Sequence, residues 1–443
     1  MKTHTAIAII ALGLWPNLAQ AADEAANPLT IGATVRLRTE SISGQFRATG
    51  PANDTMVSLK TAVDAEYDAG PVRFGGELWD ARSWGQDRSS SAGTSEVNAL
   101  ELVQANVKIE LGAKSLLTLG RFTLDLAGRR LVSRQRFRNT TNAFTGAHLA
   151  LVGSGGRRLD ALLTMPHTRL PSDSDGIRSD RVQWDRESTD VLFFGAQATL
   201  PSVAGGVLQP YAYGLTERDS PALATRNRRL WTVGARLFKQ PKAGTWDHDI
   251  EATVQGGKAR RTTAASDRAD LDVAAWFLHA ELGKTLSASW KPRLAVLFDA
   301  ASGDGGKAGK YSRFDTLYGA RRFEFGPNGL YGPFARANMI SPSLRLEVTP
   351  TKRTDAFVAW RSAWAENQAD TFAATGVRDA SDAAGTLAGH QVEARVRHWI
   401  MPGHLQIDVG GAMLLKRGLL RDAANAPASG NTRYGYVDLL LTL

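Results

Sequence analysis

Hydrophobic and polar positions alternate along this chain with a period of two. Leu29, Ile31, Ala33, Val35 and Leu37 fall on one side, and Thr30, Thr34, Arg36, Arg38 and Glu40 on the other. The next run repeats the pattern, with Val57, Leu59, Val63 and Tyr67 set against Lys60, Asp64 and Glu66. Successive side chains of a strand point to opposite faces, so each run has one apolar and one charged face. The rhythm predicts eighteen strands. They run over 29–40, 56–68, 71–82, 97–111, 115–124, 143–153, 157–167, 190–200 and 207–217. The second half holds 229–239, 245–256, 271–283, 290–301, 338–349, 353–364, 386–399, 403–416 and 432–443. In a soluble sandwich the apolar face would be core. In an outer-membrane barrel it faces lipid, and the charged face lines a watery lumen.

The connections separate these readings. Every second one is short: Ala69-Gly70, Gly112-Ala113-Lys114, Ser154-Gly155-Gly156, 201–206, 240–244, 284–289, 350–352 and 400–402. The others are long and polar, up to 302–337. Short turns on one rim, long loops on the other and an even strand number mark a transmembrane antiparallel β-barrel with periplasmic turns and extracellular loops. Both termini are then expected on the periplasmic side. The longest uncharged stretch, Val191 to Thr216, holds Pro201 and Pro210 and reads as two strands, not as a membrane-spanning helix.

The first residues read as a cleavable secretory signal. Lys2 supplies the charge, Ala6 to Leu14 the short apolar stretch, and Ala19-Gln20-Ala21 a small-x-small cleavage site. The apolar run is too short for a retained helical anchor. The expected division is a signal peptide at 1–21 and a single outer-membrane barrel at 22–443.

Composition adds charge. The chain carries a net +9, and 13 of its 53 basic residues are Lys, leaving 40 Arg. Arg presents a planar, permanently charged fork that grips carboxylates. A nucleic-acid binder could be as basic, but an exported protein meets little nucleic acid, so none is expected as a partner. Cysteine is absent, as suits an exported protein that does not depend on disulfides.

Specific stretches carry a resemblance. Leu119-Gly120-Arg121 followed by Ser133-Arg134-Gln135-Arg136-Phe137-Arg138-Asn139-Thr140 resembles the alginate-export family of Gram-negative outer-membrane proteins. So does Ser302-Gly303-Asp304-Gly305 followed by Arg313-Phe314-Asp315-Thr316-Leu317-Tyr318-Gly319. The run Gly389-His390-Gln391-Val392-Glu393, Pro402-Gly403-His404-Leu405 and Val409-Gly410 looks like that family's last three strands. The last strand alternates Val437, Leu439, Leu441 and Leu443 with Tyr436 and Asp438. Barrels of this kind usually end on an aromatic, where this chain has Leu443. The resemblance implies an 18-stranded barrel with a highly charged pore that moves alginate or related anionic solutes. It also implies a long periplasmic plug before the penultimate strand, where this chain has only Ile400-Met401-Pro402.

Alternation places Arg36, Arg38, Lys60, Arg73, Lys108, Arg121, Arg236, Arg293, Arg345, Arg361, Arg395 and Arg397 inward. Asp64, Glu66, Glu77, Glu110, Asp249, Glu251, Asp299, Glu347, Glu393 and Asp438 share those faces, so the lumen is mixed. Arg36, Arg38, Arg73, Arg121, Arg345, Arg361, Glu393, Arg395 and Arg397 are the candidate substrate-conduit residues. Pairs such as Arg345 with Glu347 could equally form ladders that hold the barrel's shape. As a set, surplus arginine in a narrow low-dielectric channel focuses positive potential, and basic rings favour anions. Segment 125–142, with Arg129, Arg130, Arg134, Arg136 and Arg138, is either a solvated loop that meets lipopolysaccharide phosphates or a loop folded inward. The acidic, glycine-rich stretch at Asp304 falls short of a calcium motif and reads as a flexible surface loop.

The histidines show no metal spacing, and no serine elbow or phosphate loop occurs. His148 lacks the nearby serine that an outer-wall lipid hydrolase would need. Neither catalytic residues nor a metal or cofactor is therefore expected. The reading is a passive outer-membrane channel for alginate-like poly- or oligouronates. Its rivals are a porin for small carboxylates and a closed structural or adhesive barrel. The expected partners are the anionic polysaccharide or carboxylate, membrane lipid, lipopolysaccharide and the barrel-assembly machinery, with the channel working as a monomer.

Overall fold

The computed structural model describes residues 27–443 apart from Ala113, so the predicted signal at 1–21 lies outside the described residues. Eighteen antiparallel strands form the wall. The first nine are β1 (Leu29–Ser43), β2 (Asn53–Asp68), β3 (Val72–Trp84), β4 (Asn98–Glu110), β5 (Leu116–Phe122), β6 (Phe144–Val152), β7 (Arg158–Pro166), β8 (Val191–Val203) and β9 (Gly206–Glu217). The rest are β10 (Arg229–Lys239), β11 (Trp246–Ala259), β12 (Leu271–Thr285), β13 (Arg293–Ala301), β14 (Met339–Thr351), β15 (Thr354–Trp364), β16 (Leu387–Met401), β17 (Leu405–Lys416) and β18 (Thr432–Thr442). Every expected strand is present, each end within three residues of its sequence-based place. A two-residue piece, Lys310–Tyr311, adds parallel to β12 from within a long connection.

The wall closes on itself. Leu37 of β1 faces Leu59 of β2 on one side and Leu439 of β18 on the other. Closure pairs every strand on both sides, and lipid offers no water to satisfy an open edge. The faces follow the alternation. Tyr67, Phe74 and Trp246 are exposed on the outer wall near the short turns, and Trp231 is exposed near the long loops. Aromatic rings, half apolar and half polar, suit both interfaces there.

Two long connections turn into the bore, 123–143 between β5 and β6 and 302–338 between β13 and β14. Of the two readings of 125–142, the inward one holds. The stretch around Asp304 corrects the sequence reading in part, because Ser302 to Asp304 are buried while 306–310 stay exposed. Asp304 is ion-paired with Arg261, and the segment beyond it packs in the lumen. The cause is apolar content. Phe325, Leu330, Tyr331 and Phe334 bury themselves with Met56, Leu414 and Tyr434 of the wall. Leu124, Leu126, Leu131 and Phe314 do so with Phe144, Phe193 and Phe277.

The two segments are also sewn together. Tyr318 N–H donates to Leu131 O at 2.9 Å, Ser133 N–H to Tyr318 O at 3.1 Å, and Ala320 N–H to Arg129 O at 2.9 Å. The backbones approach so closely that any side chain at Gly319 would collide with the Arg130 carbonyl oxygen. Only glycine fits this contact.

The in/out assignment has a direct test. Val35 and Leu346 point to lipid, and arginine near the midplane of such a wall costs about 2–4 kcal/mol. Val35→Arg and Leu346→Arg should lower the urea midpoint at which the heat-modifiable folded band is lost. A wild-type midpoint in both would show that the faces are reversed.

Candidate anion conduit

The interior charges are held in three ways. The first is carboxylate pairing. Arg130 of the inward segment is 3 % exposed at its side chain and meets three acids. Its Nε donates to Glu324 at 2.5 Å, Nη1 to Glu251 at 2.7 Å and Nη2 to Asp249 at 3.0 Å. Glu324 also binds Arg336, which donates to Ala320 O at 2.6 Å. One guanidinium thus ties both inward segments to β11. His279, Asp299 and Glu324 bring ligand-type atoms within 4.8 Å of one another. Arg130 and Arg336 pair with Glu324 and Arg361 with Asp299, so the group fits an ion-pair network better than a cation site.

The second way adds aromatic faces and backbone carbonyls to carboxylate backing, and it builds a chamber of about 450 Å³ on the side of the short turns. Five candidate conduit residues meet here: Arg36, Arg38, Arg345, Arg395 and Arg397. Arg136 and Arg322 join them from the inward segments, with Phe137, Phe323 and Phe357 between. Seven guanidiniums line this chamber against two carboxylates, Asp408 and Asp438. Further acids stand behind the arginines. Arg38 pairs with Asp438, Arg395 and Arg397 share Asp355, Arg345 lies 2.8 Å from Glu347, and Arg322 donates to Glu393 at 2.7 Å. Arg36 donates instead to the carbonyls of Arg136 and Arg138, both at 2.9 Å.

The other candidates lie elsewhere. Arg73 pairs with Glu110 and Asp68 at the rim of short turns. Arg121 meets Glu101 at 2.5 Å and Glu187 at 3.1 Å on another part of the wall. Arg361 is buried behind the inward segment, donating to Ser341 Oγ at 2.7 Å and Glu324 O at 3.1 Å. Glu393 belongs to the chamber's backing through Arg322. The basic lining is therefore confined to one flank. A neighbouring cavity of about 510 Å³ has six basic and five acidic side chains, and one of about 310 Å³ has three acids against Lys108 and Arg134.

The third way leaves charge uncompensated. Arg47, Arg138, Arg169 and Arg321 come from four connections on the long-loop side and have no carboxylate within ion-pair distance among the described residues. Arg47 donates to Leu330 O at 2.8 Å and Tyr331 O at 3.1 Å, and Arg169 to Asn142 Oδ1 at 2.7 Å. Burial and the neighbouring guanidiniums of Arg169 and Arg321 push Arg138 down to about 9, so it stays charged at neutral pH. The inward segments divide their arginines: Arg136 and Arg322 line the chamber, while Arg138 and Arg321 join this outer group. Phe137 lines the chamber, its ring centroid 3.7 Å from the Arg38 guanidinium and 4.9 Å from that of Arg322.

With this geometry in view, the comparisons decide the family. A family model for alginate export matches residues 27–429. The chain belongs to the alginate-export family. No curated protein sequence matches it. Solved barrels of Pseudomonas aeruginosa share the fold. OccK8 (OprE) aligns over 94% of this chain and 98% of its own at 12% identity and a TM-score of 0.60. The outer membrane protein opdK aligns over 94% and 99% at 12% identity and 0.60. OccK2 (OpdF), solved in complex with glucuronate, aligns over 94% and 96% at 13% identity and 0.58. The chain is thus an outer-membrane channel protein and no enzyme. The family's long plug before the penultimate strand is absent, since β16 and β17 are separated by residues 402–404 alone.

Sequence reasoning missed Arg47, Arg169, Arg321, Arg322, Phe137, Phe323 and Phe357. Most lie in connections, where alternation assigns no face. Arg321-Arg322 beside Phe323 was the available signal, since apolar residues in a long connection need somewhere to bury.

Two predictions follow from these charges. Arg130→Met leaves Glu251 without a cation and takes one of two from Asp249 and from Glu324, and breaking a buried pair costs about 3–5 kcal/mol. The inward segments should loosen and single-channel conductance should rise, with the barrel still heat-modifiable; unchanged conductance would remove Arg130 from its structural role. Beside the outer group, burial pushes the Glu96 carboxyl up to about 7. Above that pH Glu96 ionises and cancels part of the positive field, and below it the field is whole. The chloride-over-potassium preference should fall as pH rises through about 7, and Glu96→Gln should flatten the profile. A flat wild-type profile would refute this.

Proposed function

We propose that this protein is a passive outer-membrane channel selective for sugar acids of the uronate class, taken as single units or short oligomers. The observation that carries the reading is the chamber lined by seven guanidiniums. A carboxylate drawn in by the field of the outer arginines reaches side chains backed by acids, carbonyls and rings. These retain donors for a solute. Acids behind the arginines keep each site shallow, and conduction needs binding that is favourable yet readily released.

The chamber's size supports units over a long polymer, since about 450 Å³ is the scale of a small-ligand site. The related barrel OccK2, solved with glucuronate, supports the same ligand class. The family's connection with alginate fits as well, alginate being a polyuronate. One chain closes its own barrel, so a monomer suffices, delivered by the signal at 1–21.

In planar bilayers the protein should pass chloride better than potassium, and galacturonate or oligouronate should block the current. Arg395→Glu with Arg397→Glu should reduce or reverse that preference and weaken the block. A cation-selective wild type, or one that uronates do not block, would end this reading. Strong block by polymeric alginate with none by monomers would favour the long-chain substrate.

A further inference from the structure

We propose that Phe357 is the positioning residue of a carboxylate subsite in the chamber, gathering the guanidiniums of Arg322, Arg345 and Arg395 about one ring. This inference rests on the uronate-channel reading and names the residue that makes that chamber selective.

Phe357 lies on β15, points inward and is 6% exposed. Its cross-strand partners are Glu347 on β14 and Arg395 on β16. The guanidinium carbons of Arg345, Arg395 and Arg322 lie 4.1, 5.0 and 6.0 Å from its ring centroid. Two of the three come from the wall strands on either side and one from the inward segment.

Three like charges this close repel one another, and something must hold them. The local carboxylates hold each from behind: Glu347 for Arg345, Asp355 for Arg395 and Glu393 for Arg322. An acid at position 357 would hold all three from the front and so occupy the place of the solute. A ring attracts each cation through its quadrupole while carrying no charge. It takes the guanidinium without consuming the in-plane N–H edge that a carboxylate uses. The guanidinium edges are not all spent: Arg395 keeps a buried Nε–H with no acceptor among the described residues. Arg345 spends Nη1 on the Phe323 carbonyl at 3.0 Å, which fixes its fork beside the ring.

An aliphatic side chain would fill the volume and lose the hold. Arg345 and Arg395, still paired with Glu347 and Asp355, would then be free to swing apart, and the donors that a passing carboxylate needs would no longer converge. The anionic solute class follows from the arginines. Its selection over chloride follows from their fixed spacing, since a carboxylate can take two N–H groups at once and a chloride ion has no such geometry.

The test uses full-length protein in planar bilayers, with folding checked by heat-modifiable mobility. Phe357→Leu and Phe357→Met, two ring-free replacements, should each weaken galacturonate block several-fold and lower the chloride-over-potassium ratio. Phe357→Tyr, which keeps the ring, should behave close to wild type. Block by galacturonate that is equal in wild type and the two aliphatic variants would overturn the inference. So would a tyrosine variant as impaired as the leucine one. A wild type that galacturonate does not block would instead defeat the uronate-channel reading, so the two failures are separable.

Discussion

One buried guanidinium governs what the interior can be. Arg130 joins Glu324 of one inward segment to Asp249 and Glu251 of the wall, while belonging itself to the other segment. A closed wall by itself would leave a wide hole, since eighteen strands enclose an aqueous channel when nothing fills them. The bore is narrowed because two long connections are drawn in and fixed there. Their apolar residues supply the drive to bury, but hydrophobic contact has no direction. The ion pairs and the backbone contacts around Gly319 set where each segment stops. Everything that the conduit offers a solute is the space left over after that fixing.

How each arginine is held decides what it can do. Arg130 and Arg361 spend themselves on carboxylates and hydroxyls inside the protein, and their field is cancelled locally. Arg36, Arg47 and Arg169 are anchored on carbonyl or amide oxygens. Those partners satisfy hydrogen bonds yet leave the full charge standing. The same residue type therefore serves as structural cement with one set of partners and keeps its field with another. A census of inward charges cannot separate these uses, because the separation lies in the partner.

This explains what the sequence made legible. Strands, faces and the two rims follow from backbone physics that acts residue by residue: a period of two, short turns and lipid outside. Leu37 and Arg38 could be given opposite faces with no knowledge of any neighbour. The conduit is a different kind of object. Arg395 and Arg397 could be placed inward, but that they share Asp355 depends on the register between β15 and β16. Arg73 and Arg121 share their inward direction and still lie away from the chamber, because a barrel has a circumference and alternation reports only the radius. The inward course of 302–338 was the hardest to foresee. Its glycines and aspartates resemble a solvated loop, and only the spacing of Phe323, Phe325, Leu330 and Phe334 signals a segment with a face to bury.

The division of charge around the circumference bears on how such a channel can be selective without being a trap. A uniformly basic lumen would bind a polyanion at many points at once, and release would be slow. Here the flank of β14 to β18 and β1 presents guanidiniums, while Asp64, Glu66 and Glu77 face the lumen from β2 and β3. In the proposed function, a carboxylate moving along the basic flank is attracted there and repelled at the adjoining β2–β3 edge. It would thus be kept in file near the arginines, with its non-ionic remainder turned away from them. Sugar acids, with one charged edge and several hydroxyls, match such a divided channel better than a compact inorganic anion does. On the proposed reading, the acids beside that flank would therefore add selectivity even as they lower the net charge.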